Sequence, residues 1–290
     1  KIKEFNIIHF AMNADGISFS PLLSLLKLAG CKIINSYLDF SLKKYTFFNR
    51  MVLFDLLTVT SNRMLHSFVK ECKCRAKIEV IPPCVDTDFF KPRDKFKIRE
   101  KLNLPQDSFL LFTTGHFRSG RRISSLIKIV NELREGYKNV MLIVGWTGYG
   151  DVDEVYKLFS LSKYHKFIKI VPPIENINLY YCTADAYVLT AASDFVIEVP
   201  MSILEALSSG TPVIAFDVNA VSEIIKDGLN GYLIEDGNFH KMKLKILQLI
   251  DDSNLLKYLS KNARNVAIND YSYESIGRKL YDTYRRVAAD

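Results

Sequence analysis

The densest run of fixed positive charge in this 290-residue sequence is Thr113-Thr-Gly-His-Phe-Arg-Ser-Gly-Arg-Arg122. Gly115 and Gly120 free the backbone there, while Arg118, Arg121 and Arg122 supply planar guanidinium forks that match a diphosphate. A second stretch, Ile197-Glu-Val-Pro-Met-Ser-Ile-Leu-Glu-Ala-Leu-Ser-Ser-Gly-Thr-Pro-Val-Ile-Ala215, reads as loop, helix and strand in succession. Pro200 suits a first helical turn and Ser202 a cap, so the backbone N–H groups of Met201, Ser202, Ile203 and Leu204 point out of a helix N-terminus that stabilises phosphate. Glu198 in the loop suits the hydroxyls of a sugar, and Glu205 on the helix those of a ribose. Cations and an open helix end around a departing diphosphate stabilise its growing charge more in the transition state than in the ground state. The plain alternatives remain open at this point: a solvated basic turn, and an ordinary α/β crossover carrying two surface acids.

Two further places can take part. Val171, Pro172, Pro173 and Ile174 form a rigid strand-end loop able to present backbone groups to a flat base, with Trp146 as a possible neighbour, although both can equally be turn residues. His9 ends a strand before the turn at 13–16 and is a candidate for proton transfer, against the commoner structural role of a lone histidine.

The elements that must position these groups follow from alternation. Short apolar runs at 6–10, 32–35, 57–60 and 77–81, then at 109–113, 140–144, 168–171, 186–189, 212–215 and 231–234, predict strands. Amphipathic stretches at 18–28, 62–71, 123–135, 153–161, 176–182, 202–208, 221–226 and 240–250 predict the helices between them, the pattern of a parallel α/β protein. Pro82-Pro83 and the charged aromatic run that follows mark a boundary, giving domains at 1–93 and 94–270 and a terminal helix at 271–290. The basic turn directly follows a strand, which favours a site, because open α/β sheets bind ligands at strand C-terminal ends.

Composition narrows the class. With 39 Lys+Arg against 32 Asp+Glu the chain carries +7 and favours anionic partners. Five cysteines, at 31, 72, 74, 84 and 182, have no framework spacing and suggest reduced thiols, and Cys72 and Cys74 lack the usual spacing of a zinc knuckle. No apolar run approaches the ~20 residues of a membrane span, and no signal peptide is expected.

Taken together, these segments resemble the retaining glycosyltransferases of the GT-B fold, specifically family 4, also called glycosyl transferase group 1. Ile81-Pro-Pro-Cys-Val-Asp-Thr-Asp-Phe-Phe-Lys-Pro92 is similar to the family's I-P-N-G-V-D-x-x-x-F-x-P linker, and 114–121 to its G-R-L-x-x-x-K-G loop. Leu142-Ile-Val-Gly145 resembles the family's L-x-I-V-G strand, and 181–189 its Y-x-x-A-D-x-x-V strand. The most specific match is Pro200-Met-Ser-Ile-Leu-Glu-Ala206 with Gly210-Thr-Pro-Val-Ile-Ala215, and 221–233 is similar to the element V-x-E-x-V-x-D-G-x-N-G-x-L. There are departures. The family's first glutamate falls at Ile197, with Glu198 one place late; His116 stands where an arginine is usual and Arg121 where a lysine is; Asn219-Ala220 replaces a Gly-Gly pair.

The resemblance implies two Rossmann-like domains with parallel sheets, the first one incomplete, and a terminal helix that returns to it. It implies metal-independent transfer of a sugar from a nucleoside diphosphate sugar, with retention and without a cofactor. The roles are diphosphate binding by Gly115, Arg118, Arg121 and the amides of 201–204, ribose binding by Glu205, base binding by 171–174 and sugar contact by Glu198, with His9 kept from its own position as the candidate for proton transfer, since the family's catalytic histidine has no counterpart at Ser36 to Asp39. The expected acceptor is a lipid-linked sugar, a polysaccharide or a protein, with a cytoplasmic location, peripheral membrane association as an option and no nucleic-acid partner. The rival readings are a nucleotide-sugar epimerase and a non-catalytic donor-binding or assembly subunit.

Overall fold

The computed structural model describes residues 6–11, 16–38, 54–70, 77–136, 138–151, 153, 156, 159–160, 162–173, 176–196 and 198–289. The chain divides into two compact units, one made of residues 1–84, 197–199 and 273–290, the other of 85–196 and 200–272.

In the first unit, β1 (Ile7–Ala11), β2 (Lys32–Tyr37), β3 (Leu56–Val59) and β4 (Lys77–Val80) form a parallel sheet in that order. Helices α1 (Gly16–Leu28) and α2 (Asn62–Lys70) connect strands. One sheet face buries Ile33, Leu57 and Val59 against Leu23 and Leu26 of α1 and Met64 and Phe68 of α2. Ile34 and Leu56 on the alternate face meet Val287, as the period-2 reversal of strand side chains requires.

The second unit begins with α3 (Lys95–Lys101) and contains β5 (Phe109–Phe117), α4 (Ile123–Glu135), β6 (Val140–Gly150), β7 (Ile168–Val171), α5 (Ile177–Thr183), β8 (Ala186–Leu189), α6 (Met201–Ser208), β9 (Val213–Phe216), α7 (Val221–Ile224) and β10 (Gly231–Ile234). It closes with α8 (Phe239–Asp251) and α9 (Ser253–Tyr271), while α10 (Tyr273–Ala289) belongs to the first unit. Six parallel strands run in the order β10-β9-β8-β5-β6-β7. All residues of β8 and β9 are buried, the mark of strands covered on both faces.

Several bounds differ from the periodicity. β5 and β6 run on past 113 and 144, because Thr114, Gly115 and Phe117 stay in register with Gly145, Trp146 and Gly150 across an irregularity. α9 lies in a stretch with no predicted element; Asp252 caps it by accepting from the amides of Asn254 and Leu255, and Leu259, Ala263 and Ala267 repeat every four residues on its buried face. The helix predicted at 153–161 falls mostly outside the described residues, as do Cys72 and Cys74.

Two motifs of the sequence turn out to hold the second unit together. Asp86 accepts from the amides of Asp88 and Phe89, Phe90 packs edge-on against Tyr181, and Arg264 donates to the carbonyls of Thr87, Phe90 and Ser208. Asp185 receives Arg99 at 2.7 Å, Lys95 at 3.0 Å and the Leu110 amide at 2.8 Å, which ties α3 to the start of β5 and β8.

Candidate functional site

The basic turn leaves β5 at the C-terminal end of the sheet. Arg118 is exposed, whereas Arg121 is half-buried. Gly115 has φ +152°, and a Cβ there would lie 3.1 Å from the Arg121 guanidinium. The glycine therefore lets the arginine lie flat over the strand end. Gly120 performs a second close approach: a Cβ would come 2.0 Å from the Phe195 ring, and its carbonyl accepts from the Ala192 amide at 2.9 Å. The loop after β8 is thus locked onto the turn, and Thr190 Oγ1 donates to the Arg121 carbonyl at 2.6 Å.

Among the described residues no carboxylate pairs with Arg121. Burial lowers its pKa, an effect only partly offset by the nearby Tyr187. A half-buried guanidinium without a neutralising acid favours an anionic partner. With Gly115, His116, Thr190 and Ala191 it lines a pocket at the end of β5 and β8. Arg122 differs from its neighbours. It takes the left-handed conformation at φ 53°, pairs with Asp236 and lies over the Phe216 ring at 5.5 Å, so its charge is engaged structurally.

Tyr187, fully buried in β8, is the point where the turn and α6 meet. Its hydroxyl donates to the Thr114 carbonyl at 3.4 Å, and both Ser202 of α6 and the Arg121 charge act on the same phenol. Burial pushes that phenol up to about 12, against the lowering effects of Ser202 and Arg121. In the sequence this residue is simply part of the apolar run at 186–189, since a tyrosine in an apolar strand shows its polar end only once its neighbours are known.

At the start of α6 the cap differs from expectation. Pro200 is the N-cap residue, no side chain caps the helix, and Ser202 faces Tyr187 instead. The Ile203 amide donates to the Pro200 carbonyl at 3.0 Å, and the side chains of Ile203 and Leu204 are fully buried. The donors left at this helix end are the amides of Met201 and Ser202, whose residues are half-buried. Glu205, one turn on, has its pKa raised by burial, against the lowering influence of the nearby Tyr181 hydroxyl.

The remaining candidates lie elsewhere. Val171 is buried in β7, Pro172 and Pro173 are exposed at its end, and Pro173 neighbours Gly148 of β6; Ile174 is outside the described residues. β7 is an edge strand, two places from β5. Glu198 belongs to the first unit and is 1% exposed, accepting from Ser61 Oγ at 2.8 Å and Arg63 Nη1 at 2.6 Å. His9, in the same unit, holds Tyr284 Oη with Nδ1 and Ser36 Oγ with Nε2, both at 2.7 Å, and burial lowers its pKa. Among the described residues no group of three or more metal-ligating side chains is gathered, and no helix is long and apolar enough to cross a membrane.

Known proteins share this fold. The profile of the family described as "Glycosyl transferases group 1" matches residues 94–266, more than half of the chain. A D-inositol 3-phosphate glycosyltransferase of Nocardioides sp. is 24% identical over 230 residues, covering 74% of this chain and 50% of that protein. A UDP-Gal:alpha-D-GlcNAc-diphosphoundecaprenol alpha-1,3-galactosyltransferase of Escherichia coli is 27% identical over 213 residues, covering 72% and 54%. Among solved structures, Anabaena HepE in complex with UDP superposes with a TM-score of 0.84 at 18% identity, covering 98% of this chain and 79% of that one. That likeness shows the shared fold, the GT-B type with two Rossmann-like units, and the chain spans about half the length of the curated relatives it matches. From the profile match over its second unit, the chain belongs to the glycosyl transferases group 1 family.

Proposed function

We propose that this chain binds a nucleoside diphosphate sugar in its second unit and serves in transfer of the sugar to an acceptor. The observation that carries the reading is Arg121: half-buried, unpaired by any described carboxylate, laid over Gly115, and sharing Tyr187 with the first turn of α6. In this reading the diphosphate lies between the Arg121 guanidinium, with Arg118 at the rim, and the amides of Met201 and Ser202. As the bond from the sugar to the diphosphate breaks, charge accumulates on the leaving phosphate, where these donors gain strength. Glu205 takes the ribose hydroxyls, and the strand end at 171–174 takes the base.

The family 4 grouping, retention and metal independence belong to the proposal and rest on the sequence motifs. In the retaining route the donor's own phosphate accepts the acceptor's proton, so no protein base is demanded. That suits a chain in which Glu198 and His9 already have their polar atoms engaged within the first unit. The same engagement speaks against the epimerase reading, which needs an acid and a base facing the sugar. It also keeps the non-catalytic donor-binding reading in play, because Ile197 stands at the family's first glutamate position. The acceptor class stays as read from the sequence: a lipid-linked sugar, a polysaccharide or a protein, met in the cytoplasm or at a membrane surface.

The test is nucleotide release from several nucleoside diphosphate sugars, with and without candidate acceptors. Wild-type protein releases nucleotide with at least one pairing, and Arg121→Ala lowers the rate by about 100-fold, on the order of one lost transition-state donor. Tight nucleotide binding with no release under any pairing points to the non-catalytic subunit instead, and a mass-neutral change in the donor points to epimerisation.

A further inference from the structure

His116 occupies the same pocket as Arg121 and Gly115, at the strand end where the anion is placed. Its Nδ1 is held by Thr147 Oγ1 at 2.6 Å, and its ring meets Tyr149 edge-on with centroids 5.1 Å apart. The backbone carbonyl of Tyr149 accepts from Trp146 Nε1 at 2.9 Å. Among the described residues Nε2 has no hydrogen-bond partner. Among the described residues the charged groups acting on the ring are Arg121 and Arg118, both cationic, and from β6 it meets the Thr147 hydroxyl and the Tyr149 ring.

We infer that His116 is a proton-linked ligand of the diphosphate: binding the anion draws one proton from solvent onto the ring, and the resulting imidazolium becomes a third cation beside Arg118 and Arg121. This rests on the donor reading above and adds a property that an arginine at the same position would lack. In the empty pocket, desolvation first and then the two arginines disfavour the charged ring. A bound diphosphate reverses the balance, because its negative charge outweighs the repulsion. Thr147 accommodates either state. Its hydroxyl donates to a bare Nδ1, and its oxygen accepts from Nδ1–H in the cation, leaving Nε2–H for the phosphate. The sign follows: affinity rises as pH falls from the bound to the free pKa of the ring, and levels off below the latter.

The test is calorimetric titration of the full chain with UDP between about pH 6 and 8.5, in two buffers of different ionisation enthalpy, comparing wild type, His116→Gln and His116→Arg. UDP's own phosphate titration is common to all three and cancels. The wild type is expected to take up roughly half a proton or more beyond either variant near neutral pH. It should match His116→Gln at pH 8.5 and bind about tenfold tighter at pH 6, the size of one pKa unit of linkage. His116→Arg should bind tightly throughout, with no excess uptake. On the wild-type protein, the proton resonance of the imidazole missing in His116→Gln should titrate at higher pH with UDP than without. Equal uptake in all three proteins, or a resonance that UDP does not move, overturns the inference while leaving nucleotide binding intact. Failure of UDP to bind any of them, including wild type, removes the donor reading and the inference with it.

Discussion

At the residue scale the argument turns on how a single side chain is made to face an anion. Arg121 depends on Gly115 having no Cβ, both because φ is +152° and because the guanidinium occupies the space where one would be. Gly115→Ala should therefore weaken UDP binding by about tenfold or more, because the Arg121 guanidinium must give way, and should lower stability by the ~1–3 kcal/mol of a strained backbone position. Calorimetry and thermal unfolding on the same preparation separate the two effects. Glu205 behaves oppositely. Burial raises its carboxyl, so the folded state holds the proton more tightly than the unfolded chain, and the ionised form costs stability above that raised value. Glu205→Gln should raise the melting temperature at neutral pH, with the gain fading as the pH falls through the folded and then the unfolded pKa. The same change should weaken nucleoside diphosphate binding by about tenfold if the carboxylate holds the ribose. A variant that gains stability and keeps its affinity would take Glu205 out of the site.

At the element scale the ion cluster around Asp185 shows where stability and chemistry part. Arg99 is 7% exposed and Asp185 14% exposed in their side chains, and the carboxylate also fixes the Leu110 amide. Removing it strands a buried guanidinium, so Asp185→Ala should cost ~3–5 kcal/mol in chemical denaturation, with the UDP affinity of the folded protein unchanged. A loss of affinity at full stability would give Asp185 a direct role. Much of this layer was legible from the chain alone. Four apolar runs and then six became sheets of four and six parallel strands, because buried parallel strands write themselves as short Val, Ile and Leu runs. The extensions of β5 and β6 were not legible: Gly115, Gly145 and Gly150 are turn-like residues that pair only because their partner strand runs alongside. α9 was missed although Asp252 announces its start, since its buried face rests on alanines that carry little hydrophobic contrast. In the site, glycine and arginine were readable at 115 and 121, whereas the link through Tyr187 to Ser202 needed the strand order. Reading Ser202 as the cap failed for the same reason, its side chain being turned toward β8.

At the scale of the whole molecule, membership of the glycosyl transferases group 1 family rests on the match at 94–266, and the GT-B fold on the likeness to solved structures over 98% of the chain. The excess positive charge of +7 is of the sign that a nucleotide donor demands, and Arg118 and Arg121 place part of it at a strand end. The central claim is that a diphosphate sits between Arg121 and the first amides of α6. A crystal structure of the protein with bound UDP tests it most directly. The account predicts phosphate oxygens within hydrogen-bonding distance of the Arg121 guanidinium and of the Met201 or Ser202 amide, ~2.7–3.1 Å. UDP bound with its phosphates away from β5 and α6, and Arg121 still without an anionic partner, would contradict it.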